Sequence, residues 1–217
     1  MIKEYYNTFW NKYHQIRGVK LLQRNLIKKA RFHFEKALMH KESYESYYCI
    51  AICFMSHRNY KYAITYFEKV LEKLPEEKLT LLSLTECYLI TREWEKAEDI
   101  LNMLSQKITN NHTLNKFLSI SNDPILREKY AESKEYYFNA RDEYDNKNYD
   151  LAYENILKAI ELNTDNASYH YFAGIILLTA RKPKNQLEIY FENAVRLSPE
   201  NITYKKQLQF IKTKYKK

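Results

Sequence analysis

Apolar residues recur every three or four positions through most of the chain, and short polar breaks cut the recurrence into runs of helical length. Tyr47, Ile50, Ala51 and Phe54 fall on one stripe of a helix, and Ala63, Phe67 and Val70 fall on one stripe of the next. His57, Arg58 and Asn59 separate the two stripes, a connection short enough to force the helices antiparallel. Ala51 and Ala63 are small enough to let the two axes approach, and Phe67 fills the space beside them. One such hairpin leaves a face bare, so neighbours of the same kind are required.

The same order of residues returns along the chain. A first repeat over residues 11–43 carries Gly18 and Leu21, then Ala30, Phe34 and Ala37, with Ile2, Tyr5, Tyr6, Phe9 and Trp10 upstream at helical spacing. The repeat over residues 44–75 is followed by a third with Leu81, Leu84, Thr85 and Tyr88, then Ala97, Leu101 and Leu104; Ala97 lies 34 residues after Ala63. Pro75-Glu76-Glu77 reads as a helix start with the proline in the first helical position. The register then fails. Residues 112–121 form a short apolar segment, and Asp123-Pro124 opens an unbroken run to Asp145, expected to be one long helix. Repeat four follows with Tyr136, Tyr137, Ala140 and Tyr144, then Tyr149, Ala152, Ile156 and Ala159. Repeat five has His170, Ala173, Gly174 and Leu177, an extra residue around Pro183 that is expected to splay the hairpin, then Leu187, Phe191 and Ala194. From Asn201 a last helix carries Ile202, Leu208, Ile211 and Tyr215 on one side and lysines on the other, the pattern of an end cap. The reading predicts about eleven or twelve helices, with sub-arrays over residues 1–121 and 122–217.

This order of a large residue, a small residue and an aromatic in one helix, then Ala, aromatic, Ala and Pro in the next, resembles the tetratricopeptide repeat. The resemblance implies an all-α, right-handed superhelical solenoid of about five repeats plus a C-terminal capping helix. Arg17 departs from the pattern where leucine is usual, which an end repeat with one face in water tolerates. In that family, ligands lie in a concave groove lined by the first helix of each repeat. Carried over, the lining positions are Gln15, Val19 and Leu22; Tyr48, Ile52 and Met55; Leu82, Glu86 and Leu89; Tyr137, Arg141 and Tyr144; and Tyr171, Ile175 and Leu178. Most are apolar or aromatic, which suits an apolar peptide or helix of a partner protein. On this reading Leu82→Lys weakens binding by about 2 kcal/mol or more and leaves the fold intact. A carboxylate-tailed chaperone partner is disfavoured, since Gln15, Val19, Tyr48 and Ile52 offer no cation at the corresponding places.

Composition narrows the function from the other side. Two Gly and four Pro in 217 residues leave no glycine-rich loop to cradle a phosphate, so no nucleotide or other cofactor is expected. Cys49, Cys53 and Cys87 make no CxxC pair and read as small buried thiols. The six His are scattered without metal-ligand spacing, so neither a metal site nor a catalytic set is expected, and the chain reads as a non-enzymatic adaptor or scaffold. No apolar stretch has the length of a membrane span, and a cytoplasmic protein is expected. The net charge of +8 sits at the ends: residues 1–43 hold ten Lys and Arg against three acids, and residues 200–217 hold six against one. With 21 Tyr, those basic ends give the alternative reading, a binder of nucleic acid or an anionic glycan by stacking and charge. An accessory module serving an enzyme encoded elsewhere is the third.

Overall fold

A computed structural model describes residues 2–214; Tyr215, Lys216 and Lys217 of the basic tail lie outside the described residues. The described chain is all helix and turn, with no strand. In order the helices are α1 (Ile2–Gln23), α2 (Ile27–His40), α3 (Tyr44–Ser56), α4 (Tyr60–Lys73), α5 (Lys78–Thr91), α6 (Trp94–Lys107), α7 (His112–Ser121), α8 (Pro124–Asp145), α9 (Tyr149–Leu162), α10 (Ala167–Thr179), α11 (Lys184–Leu197) and α12 (Ile202–Lys214). They fall into two compact units, Met1–Asn122 and Asp123–Lys217. In the first, the hairpins α1/α2, α3/α4 and α5/α6 stack in order, and α7 packs against both α5 and α6. In the second, α8/α9 and α10/α11 stack and α12 covers α11.

Each hairpin is built on one close approach. Gly18, Ala51, Thr85, Ala140 and Gly174 are all buried in the first helices, and Phe34, Phe67, Leu101, Ile156 and Phe191 are fully buried in the second. The two glycines of the chain lie flat against a ring: a Cβ added at Gly18 would stand 2.6 Å from Phe34, and one at Gly174 would stand 2.7 Å from Phe191. Glycine is used here for space rather than for a turn.

The turns are made without it. Asn25, Arg58, Arg92, Lys147 and Arg181 each take a left-handed backbone conformation, φ 57° to 66°, at the bend of a hairpin. The next residue then donates its N–H to a carbonyl five residues back: Leu26 to Leu21, Asn59 to Phe54, Glu93 to Tyr88, Asn148 to Glu143 and Lys182 to Leu177. These are Schellman closures, with a non-glycine residue in the αL position. Helix starts follow more usual rules: Ser43, Asn111, Asp123 and Asn166 cap α3, α7, α8 and α10 with side-chain oxygens. Pro124 occupies the first turn of α8 as expected. Pro75 does not do so in α5: the helix begins at Lys78, and the Glu77 carboxylate caps it by accepting from the Thr80 amide at 2.6 Å. A carboxylate there satisfies an orphan donor and complements the helix dipole, which displaces the start by two residues beyond the proline's neighbour. The upstream apolar residues of the first repeat lie within α1, which runs from Ile2 to Gln23.

Candidate functional site

The lining positions of unit 1 do not form one uniform surface. On α3, Tyr48, Ile52 and Met55 are half-buried along one stripe; the Tyr48 hydroxyl lies 3.3 Å from Ser83 Oγ on α5, and its ring packs 5.6 Å from that of Phe67. On α1, Val19 is exposed and Gln15 and Leu22 are half-buried. Gln15 donates through Nε2 to Ser43 Oγ and Ser46 Oγ at 2.9 and 3.1 Å, which ties α1 to the start of α3. Glu86 of α5 is half-buried, but Leu82 and Leu89, at 8% and 0% exposure, are core residues. They offer no open wall, because α5 is enclosed by α4, α6 and α7 together.

In unit 2 the corresponding stripe is occupied by the chain itself. Tyr137 stacks on Tyr169 with ring centroids 5.0 Å apart, and Arg141 beside it is half-buried. The Tyr144 hydroxyl bonds Thr179 Oγ1 at 3.0 Å. Tyr171 stacks on Tyr204 of α12, centroids 4.7 Å apart, and meets the edge of Phe191. Burial raises the pKa of both Tyr171 and Tyr204. Ile175 and Leu178 pack on the core of Leu177, Leu187, Phe191 and Ile211, where Leu208 joins them. The end of a stack must cover its last inner wall, and α12 does so.

Other chemistry-bearing groups are structural. Cys53 and Cys87 are buried and Cys49 is half-buried; burial pushes the Cys49 thiol up to about 11, Cys53 to about 12 and Cys87 higher still. Thiols held protonated are neither nucleophiles nor ligands at neutral pH. No group of three or more His, Cys, Asp or Glu among the described residues could hold a metal ion. An open cleft in unit 2 is lined by Tyr149, Tyr153, Ile189 and Tyr190. Two of its three tyrosines, Tyr153 and Tyr190, hydrogen-bond through their hydroxyls at 2.6 Å, and Lys182 pairs with Asp150 at 3.4 Å.

Histidines that are far apart in sequence do meet in the first hairpin. His14 Nδ1 and His33 Nδ1 lie 2.9 Å apart, the His14 ring stacks on His40 at 5.8 Å, and Trp10 stacks on His40 at 6.2 Å. The fold-back at Asn25 creates this cluster; spacing along one helix could not reveal it, whereas pairing the two helices antiparallel about that turn would. Burial first, then the neighbouring His33, His40, Lys36 and Arg17, hold His14 below its ordinary 6.5; burial and Arg17 do the same for His33. A His with a lowered folded-state pKa adds stability that is fully present above its unfolded value and is lost as pH falls below it. Acidification from about pH 7 to about pH 5 is therefore expected to lower the thermal midpoint. Thermal unfolding followed by circular dichroism checks this, and a His14→Gln/His33→Gln protein is expected to show a flatter dependence.

No helix among the described residues is long and apolar enough to cross a membrane. Residues 23–104 match the family model described as anaphase-promoting complex, cyclosome, subunit 3. No curated protein matches the chain in sequence. Among solved structures, the APC/C hetero-tetramer Cut9–Hcn1 is 15% identical over 93% of this chain and 42% of that one, with a TM-score of 0.51. Yeast Tom70 is 16% identical over 97% of this chain and 66% of that one, with a TM-score of 0.50. The chain thus spans about two fifths of the length of the first and just under two thirds of the second. With its five hairpins of recurring small-against-large packing, the family match over α2 to α6 and these two structural likenesses, the chain has the fold of the tetratricopeptide repeat.

Proposed function

We propose that the chain is a non-enzymatic protein-interaction module that holds an apolar peptide or helix of a partner against unit 1. The observation that carries this reading is the run of Tyr48, Ile52 and Met55, large side chains left half-exposed along one stripe of α3. Leaving such a stripe wet is unfavourable, and a partner's apolar face would desolvate it. Glu86 on the next first helix and Gln15 on the preceding one supply polar groups at its margins, where they would set the partner's register. Unit 2 is a weaker candidate, since α12 already lies on Tyr171. The likeness of this fold to a chain of the Cut9–Hcn1 hetero-tetramer supports the reading.

Substitution on the stripe tests the reading. Met55→Lys and Ile52→Lys are expected to weaken partner binding by about tenfold or more, the effect of a charge placed in a desolvated hot spot. Both positions are half-exposed, so the helical circular dichroism signal is expected to be kept. The measurement is affinity capture from nuclease-treated lysate with wild type and variants, followed by titration of the recovered partner. A partner held equally by the folded variants would refute the proposal; a signal abolished by nuclease would transfer the case to the anionic-polymer reading.

A further inference from the structure

A second surface lies on α1 of the first hairpin. The glycine and alanine of the close approaches, Gly18 and Ala51, set repeats one and two 33 residues apart. At that offset Ser46, Cys49, Ile50 and Cys53 of α3 correspond to Tyr13, Ile16, Arg17 and Lys20 of α1. In α3, Ser46, Ile50 and Cys53 are fully buried, and Ile50 and Cys53 pack with Ala30 and Phe34 of the hairpin before them. In α1, Tyr13, Ile16, Arg17 and Lys20 are all exposed. The face that α3 presents to the preceding hairpin is thus open in α1, and it has the shape to which a helix packs in this fold.

Its chemistry has been changed from that of the interior positions. Two apolar places have become cations, Arg17 and Lys20; on α2, Lys36 holds its ammonium 5.6 Å over the exposed ring of Phe32. Aromatic surface continues along α1 through Phe9 and Tyr5, 56% and 78% exposed. Residues 1–43 carry ten basic side chains against three acids. A second copy of the chain is a poor occupant. Two first hairpins face to face would set the like charges of Arg17 and Lys20 together.

We infer that this exposed face of α1 docks an amphipathic helix of another protein, with acidic residues flanking its apolar stripe, packed as the first hairpin packs on α3. The apolar stripe covers Tyr13, Ile16 and Phe9, and the acids meet Arg17 and Lys20. The surface is distinct from the α3 stripe, so the two sites can be lost separately.

The test uses the full chain and a labelled designed peptide, an amphipathic helix with leucines on one stripe and glutamates flanking it, beside the same peptide with lysines in place of the glutamates. Fluorescence anisotropy is expected to show saturable binding of the acidic peptide only. Arg17→Glu/Lys20→Glu, at exposed positions that leave the helical signal unchanged, is expected to weaken that binding by about tenfold or more and to admit the lysine peptide instead. Ile52→Lys is expected to leave it unaltered, which separates this site from the α3 stripe. The inference is overturned if the acidic peptide does not bind or binds no better than the basic one, or if Ile52→Lys and not the charge reversal removes it. It is equally overturned if sedimentation shows that wild type dimerises through this face and the reversed protein does not. Binding of single-stranded oligonucleotide or of phosphatidylcholine vesicles containing phosphatidylserine that excludes the peptide and vanishes on charge reversal would assign the face to a polyanion instead.

Discussion

Removing residues 201–217 is expected to destabilise unit 2 by about 4–6 kcal/mol, more than any surface substitution in the chain. Ile211 is completely buried and shares a core with Leu177, Leu187 and Phe191, with Leu208 packed beside it. Deletion would strip those contacts and wet the far side of α11, including the Phe191 ring that lies over Gly174. It would also uncover Tyr171, now stacked on Tyr204. The ion pair of Lys212 with Glu192 at 2.7 Å is half-exposed and adds little to this sum. Urea unfolding of the truncated protein checks the figure, and Ile211→Ala, at about 2–4 kcal/mol, checks that packing rather than chain length is responsible. An unchanged midpoint in both proteins would mean that α12 merely decorates the end of the stack.

The interior of each hairpin is legible in the sequence because it repeats one decision. A small residue in the first helix is answered by a large one sixteen positions later, as Ala51 is by Phe67 and Ala140 by Ile156, and in repeat five the extra turn residue makes the interval from Gly174 to Phe191 seventeen. The turns are not legible as left-handed bends, since Arg58, Arg92, Lys147 and Arg181 occupy positions where glycine is the usual signal. The start of α5 departs from expectation for a related reason: Pro75 is a strong local cue, but the capping carboxylate of Glu77 decides where the first helical amide is satisfied. Asp123-Pro124 marks the start of α8 correctly because cap and proline agree there. Contacts made by elements outside the repeat pattern are the hardest to foresee. The segment of α7 matches no repeat, and yet it packs on α5 and α6; α12 matches only as an end cap, and it stacks on a residue of the expected groove. Periodicity assigns a side chain to a face of its own helix, whereas the cover on that face depends on partners distant in sequence.

The functional consequence is largest at Leu82. Leu82→Lys is expected to cost unit 1 about 3 kcal/mol or more, because a nearly enclosed leucine loses about 2 kcal/mol of burial and an ammonium group must be brought into the space or force it open. The family pattern alone places Leu82 on an open groove wall and predicts a folded protein that binds more weakly. The structure gives it 8% exposure and gives Leu89, two turns along the same stripe, none. Lysine can extend its amine toward solvent where a short path exists; Leu82 near the start of α5 has more room for this than Leu89, so Leu89→Lys is expected to be the more damaging of the two. Met55→Lys, on the half-exposed stripe of α3, is expected to change stability by about 1 kcal/mol or less. Thermal or urea unfolding of the three proteins therefore orders them as Met55→Lys, then Leu82→Lys, then Leu89→Lys. A Leu82→Lys protein as stable as wild type would restore that residue to the binding surface. A Met55→Lys protein that unfolds would show that the α3 stripe is core and leave the proposed partner without its anchor.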